Sequence, residues 1–352
     1  MMDPVAFLQE LVSIPSPSGQ EDEVGEYLVE RMTGLGFQAH RDQTGNAVGM
    51  IGNPEAEREI VLLGHMDTVP GLVPVLRRNG NLYGRGTVDA KGPLAAFVLA
   101  AARVASQLNG TRIVVIGAVE EEEHGKGARH LARAMQAPDF AIIGEPSDWE
   151  GVTLGYKGRL CVDYRLMQPG SHSAGKQIGP AEKAVTFWNH LTNYAEQRDA
   201  GRSGRFNTLD PALRDFQTFS DGLNDGVKMN IAIRLPPDLN PEALKHKMKS
   251  WCNGAELTFS PLDMPFQCGK NNHLVRSLLK AIRAEGGRPR FKLKTGTSDM
   301  NTVGPVWGCP IVAYGPGDSS LDHTPEEHID VREFQRSINV LTRALETLDI
   351  RT

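Results

Sequence analysis

Four short apolar segments of this chain each lead directly into residue types that bind divalent metal ions. In chain order, residues 59–63 lead into Gly64-His65-Met66-Asp67, residues 112–119 into the acidic run Glu120–Glu123, residues 140–143 into Gly144-Glu145, and residues 310–314 into a turn that ends at Asp322-His323. In a mostly parallel sheet such residues emerge at the carboxyl edge, where α/β proteins form their sites. The pattern therefore predicts an α/β fold in which these side chains meet at one edge.

A further acidic residue lies in a glycine-rich loop. Asp89 stands between Gly86 and Gly92, and glycine lets a backbone approach a ligand closely. The alternative interpretation is a flexible surface turn. Two histidines and three carboxylates at one edge are suitable donors for a two-metal hydrolytic centre.

Composition limits the class of protein. The length of 352 residues is enough for two domains, and the net charge of −5 gives no reason to expect nucleic acid or a membrane as partner. The four cysteines form no CxxC pair, so they predict neither a zinc ribbon nor a disulfide framework. The N-terminus lacks the basic and apolar regions of a signal peptide. We therefore expect a cytoplasmic protein.

The domain organisation is indicated by a change of pattern along the chain. Strands and helices alternate to about residue 146, which predicts a doubly wound, mostly parallel sheet flanked by helices. Residues 152–156 and 160–167 then alternate like half-exposed strands. We predict an α+β module inserted at residues 156–263. The first domain is therefore expected to be discontinuous, with residues 1–155 and 264–352.

Each candidate metal ligand also has a simpler interpretation. His65 and Asp67 share a face if they continue a strand, so that Asp67 can hold the second ring nitrogen of His65. Alternatively, they are only a polar strand end. Glu145 before a proline is a common turn residue, and His323 can precede a helix with Thr324 as its cap and Pro325 in its first turn.

The acidic run Glu120–Glu123 resembles a solvated charge run, but it comes after apolar residues without an intervening turn. Its first members are therefore expected at a strand end. Adjacent carboxylates suit a division of labour in which one binds metal and its neighbour accepts a proton from the attacking water. Four consecutive glutamates leave the register of base and ligand open by one residue.

Several long motifs extend over almost the whole chain, namely Gly64–Pro70, Leu82–Gly92, Glu120–Glu122, Gly144–Pro146, Gly296–Asp299 and the spacing His323-x-x-x-Glu327. Together they resemble the co-catalytic zinc aminoacylases and carboxypeptidases of the M20 metallopeptidase family. Residues 294–301 and 314–328 resemble the subgroup that releases lysine from an amino-group carrier protein. The sequence contains no HExxH pattern of the kind that single-zinc proteases use.

The resemblance implies roles for individual residues. Asp89 would bridge two Zn²⁺ ions, for which Co²⁺ or Mn²⁺ are possible substitutes. One ion would also take His65 and Glu145, and the other Glu122 and His323. Glu121 would be the general base and Asp67 a catalytic residue beside His65. The resemblance also implies a cis peptide between Asp89 and Ala90.

The resemblance further implies that the inserted module is a lid that forms a homodimer. His172 would reach the partner subunit's site and stabilise the oxyanion. Arg234 would bind the substrate α-carboxylate, together with Thr297 and Ser298; the alternative for Arg234 is an exposed strand residue.

The activity implied is amide hydrolysis that releases L-lysine, with ornithine as a second candidate, from the glutamyl C-terminus of a small acidic amino-group carrier protein. Alternatives within the family are deacetylation of N-acetyl-lysine or N-acetyl-ornithine and desuccinylation of succinyl-diaminopimelate. An alternative from another class is ATP binding, because Gly170–Gln177 nearly fits a phosphate loop but ends in Gln177 in place of Ser or Thr.

Overall fold

A computed structural model of the chain describes residues 2–170, 177–260 and 262–349. The chain divides into a first unit of residues 1–155, 268–293 and 298–352 and a second unit of residues 156–267 and 294–297. Across the described ranges, every helix is too short or too polar to span a bilayer.

Helices and strands alternate along much of the chain. The helices are α1 (Pro4–Ser13), α2 (Asp22–Gly34), α3 (Lys91–Val104), α4 (Lys126–Ala134), α5 (Pro180–Asp199), α6 (Pro241–Trp251), α7 (His273–Ala284), α8 (Asp299–Trp307) and α9 (Val331–Asp349). The strands are β1 (Gln38–Arg41), β2 (Ala47–Gly52), β3 (Arg58–His65), β4 (Leu76–Arg78), β5 (Asn81–Tyr83), β6 (Thr111–Ala118), β7 (Phe140–Gly144), β8 (Gly151–Tyr156), β9 (Gly158–Pro169), β10 (Asp210–Ser220), β11 (Asn224–Leu235), β12 (Glu256–Phe259), β13 (Phe266–Gln267), β14 (Arg290–Lys294), β15 (Ile311–Ala313) and β16 (His328–Asp330).

The main sheet of the first unit has a parallel centre. Strands β6, β3, β7 and β15 lie side by side in that order, and each neighbouring pair is parallel. Antiparallel strands β2 and β1 extend the β6 side, and β8 pairs antiparallel with β15. The predicted α/β fold with a mainly parallel sheet is confirmed.

The central strands carry apolar side chains, and helix α3 packs directly on them, while α9 packs on α3 and α7. Ile60–Leu63 of β3 are fully buried. Helix α3 is buried over almost its whole length, whereas α9 buries one stripe that includes Phe334, Ile338 and Leu341. Continuous apolar runs are typical of parallel strands with both faces covered.

The second unit has an antiparallel sheet in the order β10-β11-β9-β12. Alternate residues of β9 are buried, among them Leu160, Val162 and Tyr164. They form one cluster with Phe187 of α5 and Leu244 of α6. This arrangement gives the unit an apolar core of its own.

The prediction that residues 152–156 form a half-exposed strand is wrong, because β8 is buried throughout. The polar position in this strand is Thr153, whose hydroxyl lies 2.9 Å from the hydroxyl of Ser147. A buried polar group that has a hydrogen-bond partner costs little. Thr153 therefore does not need to face solvent.

Candidate metal centre

Side chains from the end of β3 and from three loops of the first unit converge at the carboxyl ends of β3 and β6. One group consists of His65, Glu121 and Glu122, whose possible ligand atoms all lie within 4.8 Å of one another. A second group of the same size consists of Asp89, Glu122 and His323. Glu122 belongs to both groups, so the two candidate ion positions are adjacent.

Asp89 directs one carboxylate oxygen toward each histidine. Its Oδ1 lies 3.2 Å from His65 Nε2, and its Oδ2 lies 3.0 Å from His323 Nε2. The peptide bond between Asp89 and Ala90 is cis. A carboxylate between two imidazole nitrogens has the donor chemistry of a bridging ligand, and mixed imidazole and carboxylate donors fit Zn²⁺. The residues present therefore fit a pair of divalent ions.

Asp67 lies beneath this site and is fully buried. Its Oδ1 accepts the backbone N–H of Glu121 at 3.0 Å, and its Oδ2 accepts that of Glu122 at 3.1 Å. The Ser18 hydroxyl donates to Oδ2 at 2.7 Å. Burial alone would raise the pKa of Asp67, but these bonds and the His65 ring hold it below its usual value. Asp67 is thus an ionised anchor for the acidic loop.

The His65 ring is oriented by the same segment. Its Nδ1 lies 3.0 Å from the backbone oxygen of Asp67 and 3.4 Å from Oδ1 of the same residue. An Nδ1–H donated to Asp67 leaves Nε2 free to face Asp89. A hydrogen bond of this kind commonly fixes the tautomer of a metal-binding histidine.

The structure distinguishes among the four consecutive glutamates. Glu120 has a φ of 56°, and its side chain lies 3.3 Å from the Lys126 amine. Glu123 is more than half exposed beside His124. Of the four, it is Glu121 and Glu122 that enter the candidate groups. The positive φ of Glu120 redirects the chain so that the next two side chains face the histidines.

The acidic groups perturb one another's protonation. Burial, together with the charges of Glu145 and Asp299, raises the pKa of Glu121 well above its usual value, although His65 opposes this. Burial also raises the pKa of Glu122. Hydrogen bonds to Asp89 and Glu122 raise the pKa of His323 to about 10. Perturbed pKa values of this kind cluster at functional sites.

Glu145 comes directly after β7 and is nearly buried, with 7% exposure. It is a member of neither candidate group, although its charge acts on Glu121. Its predicted role as a metal ligand stays a prediction.

His323 lies in a loop with a φ of 62°. The alternative in which a helix begins at Pro325 is wrong, because strand β16 intervenes and α9 begins only at Val331. Asp330 Oδ1 accepts the backbone N–H groups of Arg332 and Glu333 at 2.7 and 2.9 Å, as a helix cap does. His323 therefore owes its position to the loop and not to a helix end.

The residues predicted to bind substrate are distributed over both units. Arg234, in β11, donates from Nη1 to the Thr297 hydroxyl at 3.2 Å, and both residues belong to the second unit. Ser298, in the first unit, caps α8 through its hydroxyl, which accepts the N–H of Met300. His172 lies outside the described residues. The substrate contacts of all four stay predictions.

One buried carboxylate of this region, that of Glu327, was part of a sequence motif but had no role assigned. It binds the backbone of the loop that carries Asp89. The only sequence signal was its position four residues after His323.

Comparisons with known proteins agree with this arrangement. The family described as "Peptidase family M20/M25/M40" matches residues 61–347. A LysW-lysine hydrolase of Deinococcus radiodurans is 44% identical over 97% of this chain and 96% of that protein. A putative LysW-lysine/LysW-ornithine hydrolase of Thermococcus kodakarensis is 41% identical over 98% of this chain and 92% of that protein.

Solved structures share the fold at low identity. The M20 family metallo-carboxypeptidase Sso-CP2 of Sulfolobus solfataricus has a TM-score of 0.81 at 18% identity, with both chains covered completely. The Bacillus subtilis YxeP protein, described as a dinuclear metal-binding peptidase, has a TM-score of 0.73 at 13% identity and covers 98% of this chain and 97% of its own.

Proposed function

This chain belongs to peptidase family M20/M25/M40, and on that premise we propose that it hydrolyses the amide bond between L-lysine and the glutamyl C-terminus of a LysW-type amino-group carrier protein. The observation that carries the proposal is the 44% identity to the Deinococcus LysW-lysine hydrolase over nearly the full length of both chains. Ornithine is the second amino acid to test, because it appears in the name of the Thermococcus relative.

The proposed metal ligands are the histidines and carboxylates at the carboxyl edge of the sheet. Asp89 would lie between two Zn²⁺ ions, His65 and Glu145 would hold one, and Glu122 and His323 the other; Co²⁺ or Mn²⁺ suit the same donors. When bound, such ions polarise a carbonyl oxygen and make water more acidic. The support in this chain is the Asp89 carboxylate, whose two oxygens face His65 and His323, together with the closeness of Glu122 to both histidines.

Glu121 is the proposed general base. It would take a proton from water as the water oxygen attacks the amide carbon. It would then deliver that proton to the lysine nitrogen as the C–N bond breaks. Two features support this role: Glu121 is adjacent to the proposed ligand Glu122, and its backbone is fixed by Asp67.

The proposed substrate contacts involve the second unit. Arg234 would bind the lysine α-carboxylate through its guanidinium fork, assisted by Thr297 and Ser298. His172 would stabilise the oxyanion in the partner subunit of a homodimer. On this proposal residues 156–263 form the lid, residues 1–155 and 264–352 form the catalytic domain, and the enzyme acts in the cytoplasm.

The test is detection of free amino acid by mass spectrometry after incubation of metal-loaded protein with a substrate panel. The panel contains carrier-linked lysine, carrier-linked ornithine, N-acetyl-lysine, N-acetyl-ornithine and succinyl-diaminopimelate, each with and without chelator. Chelator-sensitive release of lysine mainly from the carrier is the expected result. Preference for a small acyl substrate would refute the carrier assignment, and release that survives complete chelation would refute the metal centre.

A further inference from the structure

Glu327 is a fully buried carboxylate whose two oxygens are both occupied by protein donors. Oε1 accepts three backbone N–H groups, those of Gly86 at 2.9 Å, Val88 at 3.0 Å and Asp89 at 3.2 Å. Oε2 accepts Arg85 Nη1 at 2.7 Å. A buried charge is costly unless it is paired and hydrogen-bonded. The glycine-rich loop supplies these partners.

These contacts connect the loops that carry two of the proposed metal ligands. One of the N–H donors belongs to Asp89 itself. Glu327 also lies four residues after His323 in the same loop. Arg85 adds a second connection, because its Nη1 lies 3.3 Å from the backbone oxygen of Thr324, the residue next to His323. A small polar cluster of Glu327 and Arg85 therefore connects the loop of Asp89 with the loop of His323.

Glu327 is not a member of either candidate ligand group. Its carboxylate instead accepts four hydrogen bonds from the glycine-rich loop, three at Oε1 and one at Oε2. A side chain that binds the backbone of a ligand residue, and does not itself bind the ion, affects metal affinity by fixing the position of that ligand. Outer partners of metal ligands commonly change affinity by about 10- to 100-fold when they are removed.

We propose that Glu327 is a positioning residue of the metal centre, which sets the separation of Asp89 and His323 by binding the Gly86–Asp89 backbone. The inference rests on the metal centre of the proposed function but not on the identity of the substrate. Loss of the carboxylate would loosen Asp89 relative to His323 and weaken metal binding.

The sharpest perturbation is Glu327→Gln, which keeps the shape of the side chain. An amide has one oxygen, so its NH₂ group must face either the three backbone N–H groups or Arg85. On that side of the cluster the NH₂ group then faces other hydrogen-bond donors, and no acceptor lies between them. Glu327→Asp keeps the charge but shortens the side chain by one methylene. We therefore expect it to weaken Co²⁺ binding as well.

A matched control is Asp349→Asn. Asp349 is the last residue of α9 and lies next to the start of strand β6. The Asp349 carboxylate accepts the backbone N–H groups of Asn109 at 3.0 Å and Gly110 at 3.3 Å. These residues precede β6, whereas the acidic loop comes after it. The substitution therefore perturbs a similar contact between a carboxylate and backbone N–H groups, at the end of the strand that is far from the candidate site.

The measurement is titration of the metal-free proteins with Co²⁺, monitored by visible absorption and by calorimetry. We expect the dissociation constant of Glu327→Gln to rise about 10- to 100-fold, and that of Asp349→Asn to stay at the wild-type value. Thermal unfolding of the metal-free proteins reports the folding cost separately.

Wild-type Co²⁺ affinity in both Glu327 variants would overturn the inference, and so would an equal loss of affinity in Asp349→Asn. A wild-type chain that binds no divalent ion would refute the metal centre and the inference together. Tight Co²⁺ binding without lysine release would refute only the substrate assignment, so the two failures are distinguishable.

Discussion

Substitution of Asp67 by Asn tests whether this buried carboxylate holds the acidic loop in place. Both carboxylate oxygens accept a backbone N–H, Oδ1 from Glu121 and Oδ2 from Glu122. If the new amide places its NH₂ group at the Oδ1 position, that group faces the Glu121 N–H. It also faces His65 Nδ1, which lies 3.4 Å from Oδ1. At the Oδ2 position NH₂ faces the Glu122 N–H, but the Ser18 hydroxyl can rotate to accept it. The second orientation is therefore favoured.

The expected cost comes from the one donor left without an acceptor. A buried N–H that loses its partner costs about 1–3 kcal/mol. Because about 1.4 kcal/mol corresponds to a factor of ten, local opening of the loop should become roughly 5- to 150-fold more frequent. The backbone N–H of Glu122 should show most of this change, since in the favoured orientation it faces the new side-chain NH₂ group.

Hydrogen–deuterium exchange with residue resolution measures this opening directly. The Glu122 amide should exchange faster by the factor above, and the Glu121 amide by less. An internal control is provided by Asn109 and Gly110, whose N–H groups are bound by Asp349 before strand β6 and should exchange at the wild-type rate. Unchanged exchange at Glu122 would refute the anchoring role of Asp67.

Three further substitutions test other parts of the site. Glu121→Gln should lower turnover by roughly 10²–10⁴-fold while metal content by mass spectrometry stays at the wild-type level, and an active variant would contradict its role as base. Arg234→Lys should lower kcat/KM for lysine release by about 10- to 100-fold through loss of the bidentate contact, whereas Arg165→Lys on an exposed part of β9 should not. Gly127→Ala should lower the thermal midpoint and turnover, because the added Cβ would lie 2.4 Å from the Asn46 oxygen that binds the Val119 N–H. As a control, Gly110→Ala should be tolerated, because a Cβ at that position would meet no atom within 4 Å.

The position of the site at a sheet edge was predictable from local sequence. Apolar runs form buried strands, and the residue types after them indicate the site, so His65 and the acidic run were found without any knowledge of tertiary contacts. The edge strand β10, in contrast, was not predictable from its sequence pattern. Most of its side chains are exposed, so it shows little of the apolar alternation by which β9 is recognisable.

The register of the acidic run was not predictable, because four identical side chains carry no local signal. It is decided by contacts from distant loops. The N–H of Glu120 binds Glu21, which lies 99 residues earlier, and the N–H groups of Glu121 and Glu122 bind Asp67, 54 and 55 residues earlier. The role of Glu327 was not predictable for the same reason, since its hydrogen-bond partners lie 238 to 242 residues earlier.

A row of glycines explains why Asp89 reaches the strand ends at all. Gly64 of β3 is in register with Gly117 of β6 and Gly144 of β7, so three neighbouring strands lack side chains at the same level. Helix α3 occupies that space: Cβ atoms at these positions would lie 3.3, 3.2 and 2.9 Å from atoms of Leu94 or Phe97. Because α3 begins at Lys91, its close approach brings Asp89, two residues earlier, to the level of His65. The geometry of the candidate metal centre therefore depends on helix packing below it as much as on the side chains that would bind the ions.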